Sequence, residues 1–301
     1  MKKLFFFINL FMISVNVLMA EENPLSFNGD VKLRSISSWE EKYEHRLTCE
    51  ATLGLDYDRG NNWFNSKFKV TTPFQCACEN KVNLQVEQLS VGFLPYEDDT
   101  NQFYFEVGRH RLDYLFESKI QFKKHFNGVH LCYNRIDEIG NITIHGGPLV
   151  MDSLSNHFGF IAETSIRDIL NSGIDLTYNL VDWMESSKDY YESYFLISQV
   201  LATYRFNDCA IYGAYLKNHR ATIESDGFYA GVSYGQIVQA RDFMLDVNYQ
   251  YLDVFCVPVF DQEGIGTGFL FKGIYAITEN FHVKGKVATT KFAELSLVYK
   301  W

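Results

Sequence analysis

Hydrophobic and polar residues alternate along most of the chain with a period of two. In one late segment, Phe243, Leu245 and Val247 fall on one face of an extended strand, whereas Asp246 and Asn248 fall on the other. Successive side chains of a strand point to opposite faces of its sheet. The pattern therefore predicts a sheet with one apolar face and one polar face.

The same period predicts sixteen strands, within a range of 14–18. They cover residues 25–35, 46–57, 62–72, 82–93, 102–109, 127–134, 140–147, 156–163, 172–180, 193–206, 209–217, 227–236, 242–252, 267–277, 281–287 and 292–301. Around Gln88 and Leu89 the phase of the alternation slips, which predicts a bulge or a break in that strand.

The connections between these strands differ at the two ends of the predicted sheet. The turns at one end are short and rich in turn-forming residues: 58–62, 135–140, 206–208 and 278–280. The connections at the other end are mostly longer: 74–81, 110–126, 181–192, 218–226 and 253–266. Residues 94–101 and 287–291 are exceptions to this rule. Short turns at one end and long loops at the other are typical of transmembrane antiparallel β-barrels.

The first twenty residues have the pattern of an export signal. Lys2 and Lys3 precede an apolar run from residue 4 to residue 18, and Ala20 ends a plausible cleavage site. We therefore expect a signal peptide at 1–20 and one barrel domain at 21–301. After residue 20 the chain contains no run of about 18 apolar residues that would predict a transmembrane helix.

Composition agrees with an exported barrel. Aromatic residues make up 16% of the chain, which contains only 5 prolines. Loss of Lys2 and Lys3 with the signal peptide would change the net charge from −10 to −12, so nucleic acid is not an expected partner. The six cysteines contain no CxxC pair, and their spacing does not determine any disulfide: Cys49, Cys76, Cys78, Cys132, Cys209 and Cys256.

The last nine residues, AELSLVYKW, continue the alternation to the final residue. Leu297, Tyr299 and Trp301 share the apolar face. Hydrocarbon offers no hydrogen bonds to the edge of a sheet, so a sheet that spans a membrane must close into a ring. We therefore expect the last strand to pair with the first, which would place Leu297, Tyr299 and Trp301 at the barrel closure.

The chain resembles Gram-negative outer-membrane proteins, whose last strand ends in an aromatic residue that the barrel assembly machinery reads. Phenylalanine is usual at that position, and Trp301 departs from the pattern. Residues 105–135 resemble a segment of porin families, with Gly108 and Arg109 ending one strand and Phe126, Gly128 and Val129 opening the next. Cysteine use in such a barrel also resembles the disulfide-linked envelopes of chlamydia-like bacteria.

This resemblance implies a porin in the bacterial outer membrane, through which small hydrophilic solutes diffuse passively. Its expected partners are outer-membrane lipid, the barrel assembly machinery and the solutes themselves. A homo-oligomer is compatible with this function. A passive barrel requires no cofactor and no metal ion, because its selectivity depends on the pore diameter and the charges that line it.

The connection 109–126 is among the longest and is basic in balance. In sixteen-stranded porins the loop between strands five and six narrows the channel, and the resemblance implies the same role for this loop. Its charged residues are then the candidates for a pore constriction: Arg109, Arg111, Asp113, Glu117, Lys119, Lys123 and Lys124. The alternative is an exposed basic loop that contacts lipopolysaccharide or solvent.

Several basic residues have the phase of the polar face and are candidate charges of the lumen wall: Arg34, Arg46, Lys67, Lys69, Lys272, Lys284 and Lys286. Their field would favour anions. The alternative is that Asp30, Glu50, Asp175 and Asp246 neutralise them across strands.

Two other functional classes stay open. An outer-membrane hydrolase is the first, since GVSYG at 231–235 matches G-x-S-x-G; that motif needs a strand–turn–helix context, however, and here it falls inside a predicted strand. The eight histidines contain no His-Glu-x-x-His motif, and no acidic cluster has the spacing of a calcium loop. We therefore predict no catalytic residue and no metal site. The second class is a secreted or periplasmic β-sandwich that binds a ligand.

Overall fold

The computed structural model of the chain describes residues 24–39, 43–73, 82–111, 125–151, 158–185, 193–253, 255–256, 267–290 and 292–301. The signal peptide predicted at 1–20 lies outside these residues. In the described part of the chain, no helix is long and apolar enough to cross a membrane.

The sixteen predicted strands are all present, and their ends differ from the predicted ends by a few residues. They are β1 (Leu25–Ser38), β2 (Glu44–Asp58), β3 (Asn62–Pro73), β4 (Asn83–Glu97), β5 (Asn101–Arg111), β6 (His125–Asp137), β7 (Gly140–Met151), β8 (Phe158–Arg167), β9 (Ile174–Glu185), β10 (Ser193–Phe206), β11 (Cys209–Asn218), β12 (Asp226–Tyr234), β13 (Phe243–Leu252), β14 (Gly268–Ala276), β15 (Phe281–Ala288) and β16 (Phe292–Lys300). A 3-10 turn, Ile169–Asn171, lies between β8 and β9.

The strands form one closed antiparallel barrel in which each strand pairs with its neighbours in the sequence, and β16 pairs with β1. In the closing pair, Leu297 lies opposite Leu33 and Tyr299 lies opposite Val31. Trp301 extends the pairing beyond β16. Its backbone N–H donates to the carbonyl oxygen of Gly29 at 3.1 Å, and the N–H of Gly29 donates to the carbonyl oxygen of Trp301 at 3.3 Å.

The barrel has its apolar side chains outside and its polar side chains inside. In β13, Leu245 is 50% exposed and Phe243 is 44% exposed, whereas Asp246 is 5% exposed and Gln250 only 2%. A water-soluble sandwich would bury the first pair and expose the second. The reversed arrangement fits a ring that is surrounded by lipid, and it excludes the soluble β-sandwich.

Aromatic side chains on the outer face are concentrated near both ends of the strands. Beside the short turns, Tyr204 packs against Phe206 and Tyr299 packs against Trp301, with ring centroids 5.5 Å and 6.3 Å apart. Near the opposite end, the rings of Phe228 and Tyr251 stack at 5.6 Å. Two such zones are typical of barrels whose aromatic girdles lie at the two membrane–water interfaces.

The structure corrects one of the predicted connection lengths. β4 continues to Glu97, so the turn to β5 consists of residues 98–100 and is short. The sequence interpretation gave 94–101 as a longer exception at the end with the short turns. The other exception stays, since β15 ends at Ala288 and β16 begins at Phe292. Both ends of the described chain, Pro24 and Trp301, lie on the side of the short turns.

The turn at 98–100 is organised by the carboxylate of Asp98. Its oxygen Oδ1 accepts hydrogen bonds from the backbone N–H of Thr100 at 2.8 Å and of Asn101 at 2.7 Å, and Oδ2 accepts one from the hydroxyl of Tyr96. These bonds, that of Tyr96 foremost, hold the pKa of Asp98 well below its usual range.

We predict that Gly29→Ala destabilises the barrel closure. A Cβ at this position would meet the indole ring of Trp301 and would lie 2.7 Å from the carbonyl oxygen of Thr52. We expect a loss of about 1–3 kcal/mol in the free energy of unfolding, measured by urea titration in detergent micelles. Gly285→Ala is the matched control, because a Cβ there meets nothing within 4 Å. Equal stabilities of the two variants would contradict this interpretation of the closure.

We predict that Asp98→Ala lowers the midpoint of thermal unfolding at neutral pH by roughly 1–3 °C. Asp99→Ala, in the same turn, should leave it unchanged. Because the pKa of Asp98 is lower in the folded protein, its contribution to stability is present at neutral pH and is lost as the pH falls below about 4. The difference between the two variants should therefore shrink in acid. A difference that stays constant down to pH 3 would show that the charge of Asp98 is not responsible.

Candidate functional site

The inner face of the barrel carries the polar half of each strand, and it is the candidate functional site. In β1, β2 and β16, a chain of ion pairs runs along this face. Glu294 accepts from Arg34 at 2.8 Å and lies 3.3 Å from Lys32. Glu50 lies 3.8 Å from Arg34 and 2.9 Å from Lys69. Glu50 on β2 thus bridges basic groups of β1 and β3, whereas Glu294 on β16 binds two basic groups of the adjacent strand β1.

A β-bulge in β4 adds a further carboxylate to this chain. The register between β3 and β4 shifts at Lys67 and Phe68, which pair with Gln88 and Val86, so that Glu87 has no directly opposite residue. This irregularity confirms the slip of phase that the sequence shows. The carboxylate of Glu87 lies 3.6 Å from Lys69 and 3.8 Å from Arg111. We call Lys32, Arg34, Glu50, Lys69, Glu87, Arg111 and Glu294 together the ion-pair chain.

The other basic residues predicted for the lumen wall occupy different positions along it. Lys67, Lys284 and Lys286 have the inward phase of their strands, and Lys286 lies directly opposite Lys272. Lys272 is 4.0 Å from the carboxylate of Asp246. Arg46, in contrast, pairs with Glu44 near the rim, where its side chain is 61% exposed.

The structure corrects the predicted loop 109–126. Arg109 and Arg111 lie within β5 rather than in a loop, and β6 already begins at His125. The guanidinium of Arg109 donates to the carbonyl oxygen of Val86 at 2.5 Å. The remaining constriction candidates lie outside the described residues: Asp113, Glu117, Lys119, Lys123 and Lys124. Their role stays a prediction.

A second set of inner-face contacts joins β6 to β10, and sequence reasoning missed it. His130 Nε2 lies 3.1 Å from His145 Nδ1, and His145 Nε2 lies 2.9 Å from Glu163 Oε1. Asn179 donates to the other oxygen of Glu163, and Gln199 donates to Asn179 Oδ1 at 2.9 Å. Each of these five side chains is at most 8% exposed. We call them the histidine–glutamate row.

The register explains why these side chains meet. His145, Glu163, Asn179 and Gln199 lie directly opposite one another across successive strands. The alternation of the sequence assigns each of them to the inner face, but it does not show which residues of neighbouring strands are opposite. Only the register of the paired strands shows that these residues are opposite one another.

The adjoining part of β5 carries further polar groups. Glu106 accepts a hydrogen bond from the indole N–H of Trp63, and its other oxygen lies 3.6 Å from His110 Nδ1. The ring of His110 packs against Phe126 at 5.5 Å and lies 6.4 Å from the ring of His130. His110 and His125 lie at the paired ends of β5 and β6, where His110 is opposite Phe126 and His125 is opposite Arg111.

An apolar cluster covers the inner wall above the histidine–glutamate row, on the side of the long connections. Ile161, Val181 and Ile197 each lie two residues from the member of the row on the same strand, so they share its face, and they are at most 2% exposed. Cys256, in the connection after β13, belongs to the same cluster and is fully buried. Burial raises the pKa of its thiol to about 12. Phe255 and Cys256, the described residues that follow Asp253, therefore lie against the inner wall: Cys256 belongs to the cluster, and the carbonyl oxygen of Phe255 accepts from the side-chain amide of Asn218 at 2.8 Å.

The GVSYG segment lies in the wall of the barrel. Ser233 of the GVSYG segment lies in β12, and Gly235 lies just beyond it, so the serine does not have the strand–turn–helix context of a nucleophile. Among the described residues, no group of three or more His, Cys, Asp or Glu side chains is arranged to hold a metal ion. Four described cysteines are free thiols: Cys49, Cys132, Cys209 and Cys256. Cys76 and Cys78 lie outside the described residues.

Comparison with known proteins gives a likeness in fold. No family profile and no curated protein sequence matches the chain. OmpF of Salmonella typhi, solved in complex with daunomycin, superposes with a TM-score of 0.62 at 11% identity, over 93% of this chain and 98% of that one. OprB of Pseudomonas putida superposes with a TM-score of 0.61 at 11% identity, over 92% and 94%. A substituted porin of Rh. blastica gives 0.59 at 13% identity, over 92% and 100%. The chain therefore has the fold of the porin barrels.

Proposed function

We propose that the protein is an outer-membrane channel through which small hydrophilic solutes diffuse passively. The observation that carries this proposal is the arrangement of the closed sixteen-stranded barrel, with exposed apolar residues outside and charged residues inside. Barrels of this strand number are wide enough to hold a water-filled channel. The likeness in fold to OmpF, OprB and the Rh. blastica porin supports the proposal.

The same proposal includes the setting of the barrel. The outer face would contact bacterial outer-membrane lipid, and the terminal strand with Trp301 would be read by the barrel assembly machinery after export. Phe255 and Cys256 lie against the inner wall. Their position supports a lumen that is narrowed at one rim by the long connections. By the resemblance to porins, the segment after β5 would add to this narrowing and the barrel could assemble into a homo-oligomer; the resemblance to envelopes of chlamydia-like bacteria stays a prediction.

The wall charges suggest how selectivity would arise. Glu50, Asp175 and Asp246 each have a basic neighbour. This agrees with the alternative in which carboxylates neutralise the basic residues of the wall across strands. In the sector from β14 to β3, however, inward basic residues outnumber inward carboxylates. Its basic residues are Lys32, Arg34, Arg46, Lys67, Lys69, Lys272, Lys284, Lys286 and Lys300, and its carboxylates are Asp30, Glu44, Glu50, Asp56, Asp58 and Glu294. We therefore propose a modest preference for anions.

Planar-bilayer recording of the purified protein tests the channel. We expect discrete, ohmic conductance steps, because a water-filled lumen conducts ions without a binding cycle. Firm residence in the membrane without conductance would contradict the proposal. In that case, hydrolysis of phospholipid or peptide substrates by the detergent-solubilised protein would support the barrel enzyme instead.

The double variant Glu50→Gln/Glu294→Gln should shift the reversal potential in a salt gradient toward anion selectivity. Both substitutions remove a negative charge and leave Lys32, Arg34 and Lys69 without these counter-charges. We expect the anion-to-cation permeability ratio to rise about twofold or more. Glu138→Gln, in the exposed turn after β6, is the control and should not change the ratio. An unchanged ratio in the double variant would show that the ion-pair chain does not line the conducting path.

A further inference from the structure

Like charges face each other on the inner wall of β14 and β15. Lys272 lies directly opposite Lys286, which places their Cβ atoms about 5 Å apart. Lys284 lies two residues before Lys286 on the same face, about 7 Å along the strand. We call Lys272, Lys284 and Lys286 the lysine triad. Because like charges that are directly opposite destabilise a sheet, the triad needs negative charge close to it.

Asp246 of β13 supplies part of that charge. Its carboxylate lies 4.0 Å from the ammonium group of Lys272, which is the limit of an ion pair. The hydroxyl of Tyr212 lies 2.8 and 3.0 Å from the two carboxylate oxygens, and the side-chain amide of Asn248 donates to Oδ1 at 2.9 Å. Asp246 is thus held at the wall by shorter hydrogen bonds, while 34% of the Lys272 side chain stays exposed to the lumen.

Glu294 of β16 supplies a second part. It lies directly opposite Lys286, and on its other side it binds Lys32 at 3.3 Å and Arg34 at 2.8 Å. A single negative charge is therefore shared among three cations. The Nζ of Lys286 also lies 5.1 Å from the ring centroid of Phe292. That contact is favourable to a cation but contributes no negative charge.

The inner faces of β13–β16 carry an excess of positive charge, whichever of these pairs form. Their charged residues are four lysines and two carboxylates: Lys272, Lys284, Lys286, Lys300, Asp246 and Glu294. The charged neighbours of Lys284 on the adjoining strands are Lys32, Lys300, Asp30 and Glu294, so two cations and two carboxylates surround it. An anion that enters the lumen can supply the balance.

The ends of the lysines, rather than the wall beneath them, meet the fluid of the lumen. The shorter inner-face residues around the triad are covered, since Leu270, Ala288 and Ser296 are 2%, 5% and 1% exposed. The three lysines are only half-buried. Long side chains with charged ends thus lie over a covered wall, and each ammonium group offers three N–H donors.

We propose that the lysine triad is a binding site for phosphate-bearing solutes in the lumen. A phosphate ester carries about −1.5 to −2 charges at pH 7 and three strong acceptor oxygens. One such group can therefore bridge Lys272 and Lys286 and still offer an oxygen to Lys284, with a charge-assisted hydrogen bond to each. Chloride has a single charge and a carboxylate has two oxygens, so neither balances the triad as fully.

The site gives the class of solute that the channel would concentrate, and in this respect the inference rests on the proposed function. Transport requires that a solute leaves its site again. Asp246 lies 4.0 Å from Lys272 and repels an anion that is bound there. Its carboxylate therefore limits the affinity of the site and favours release.

Equilibrium dialysis of ³²P-labelled pyrophosphate against the detergent-solubilised protein tests the site without a membrane. In 0.1 M salt we expect saturable binding to the wild type, and the double variant Lys272→Gln/Lys286→Gln should weaken it about tenfold or more, because two ammonium groups next to the ligand are lost.

Two lysine variants serve as comparisons. Lys67→Gln removes an inner-face lysine of β3, about 19 Å from β15 along the wall at the usual strand spacing, which exceeds the screening length of about 10 Å. It should change the affinity less than twofold. Lys217→Gln, whose ammonium group lies 3.6 Å from Asp226 on the outer face, should not change it. Equal weakening by Lys67→Gln and by the double variant would show a diffuse field instead of a site, and would overturn the proposal.

Asp246→Asn provides a test of opposite sign. It keeps an oxygen that accepts from Tyr212 but removes the negative charge beside Lys272, so pyrophosphate should bind about threefold more tightly. A variant that only disturbed the wall would bind it more weakly. Weaker or unchanged binding in Asp246→Asn would contradict the site at Lys272.

Thermal unfolding in micelles shows whether the double variant is folded. Without ligand, Lys272→Gln/Lys286→Gln should unfold at the wild-type temperature or above it, because a like-charge contact is gone. Pyrophosphate should raise the midpoint of the wild type, beyond the effect of sodium chloride at the same ionic strength, and should not raise that of the double variant. No such rise in the wild type would overturn the proposal.

Conductance separates the site from the channel. Pyrophosphate should reduce the chloride current through the wild type by about half or more, and it should leave the current through Lys272→Gln/Lys286→Gln unchanged. A conducting protein that neither binds pyrophosphate nor responds to it would overturn the site and leave the proposed function intact. A protein that binds pyrophosphate but forms no channel would overturn the proposed function and support the site alone.

Discussion

The structure depends on one constraint, which is that each backbone N–H and C=O group within hydrocarbon needs a partner in the protein. Each such group left unpaired in lipid costs several kcal/mol, so an open sheet has no stable position in a bilayer. The pairing of β16 with β1 removes the two remaining edges. The reciprocal hydrogen bonds between Gly29 and Trp301 continue this pairing to the last residue, and the indole ring covers the glycine on the outer face.

Closure also decides which side chains can occupy the interior. The outer face presents Leu, Val, Phe and Tyr side chains to the lipid. Because successive side chains of a strand point to opposite faces, the residues between them point inward. Inside, charged groups are tolerated because they find partners across strands. The ion-pair chain does this with alternating basic and acidic groups, and the histidine–glutamate row does it with donors that converge on Glu163. Both sets connect neighbouring strands at the side-chain level, in addition to the backbone ladder.

The strands and their faces could be predicted from the sequence, because alternation is a local property that does not depend on what lies next to a strand. The slip at Gln88 likewise marked the bulge that brings Glu87 to Lys69. The contacts of the wall could not be predicted. His130, His145 and Glu163 are separated by 15 to 18 residues along the chain, and their meeting depends on the register of three strands. A shift of register by two residues would keep each face and separate all three.

The apolar cluster on the inner wall could not be predicted from the sequence either, because the alternation of apolar and polar residues predicts a polar interior along the whole barrel. Ile161, Val181 and Ile197 depart from that pattern on the side of the long connections. Their departure becomes interpretable only once Cys256 is seen to belong to the same cluster. The sequence analysis ended β5 at residue 109 instead of Arg111 for a related reason. Polar residues near a rim have the composition of a loop even when they belong to a strand.

The order of the strands has a kinetic consequence. Of the sixteen pairings in the ring, fifteen join strands that follow one another in the chain, and each can form as a local hairpin. The last one, between β1 and β16, brings together segments from opposite ends of the sequence and carries nearly all of the long loop-closure entropy. Until it forms, the nascent sheet has two reactive edges that can pair with another molecule, so the speed of this single step governs the competition between maturation and aggregation.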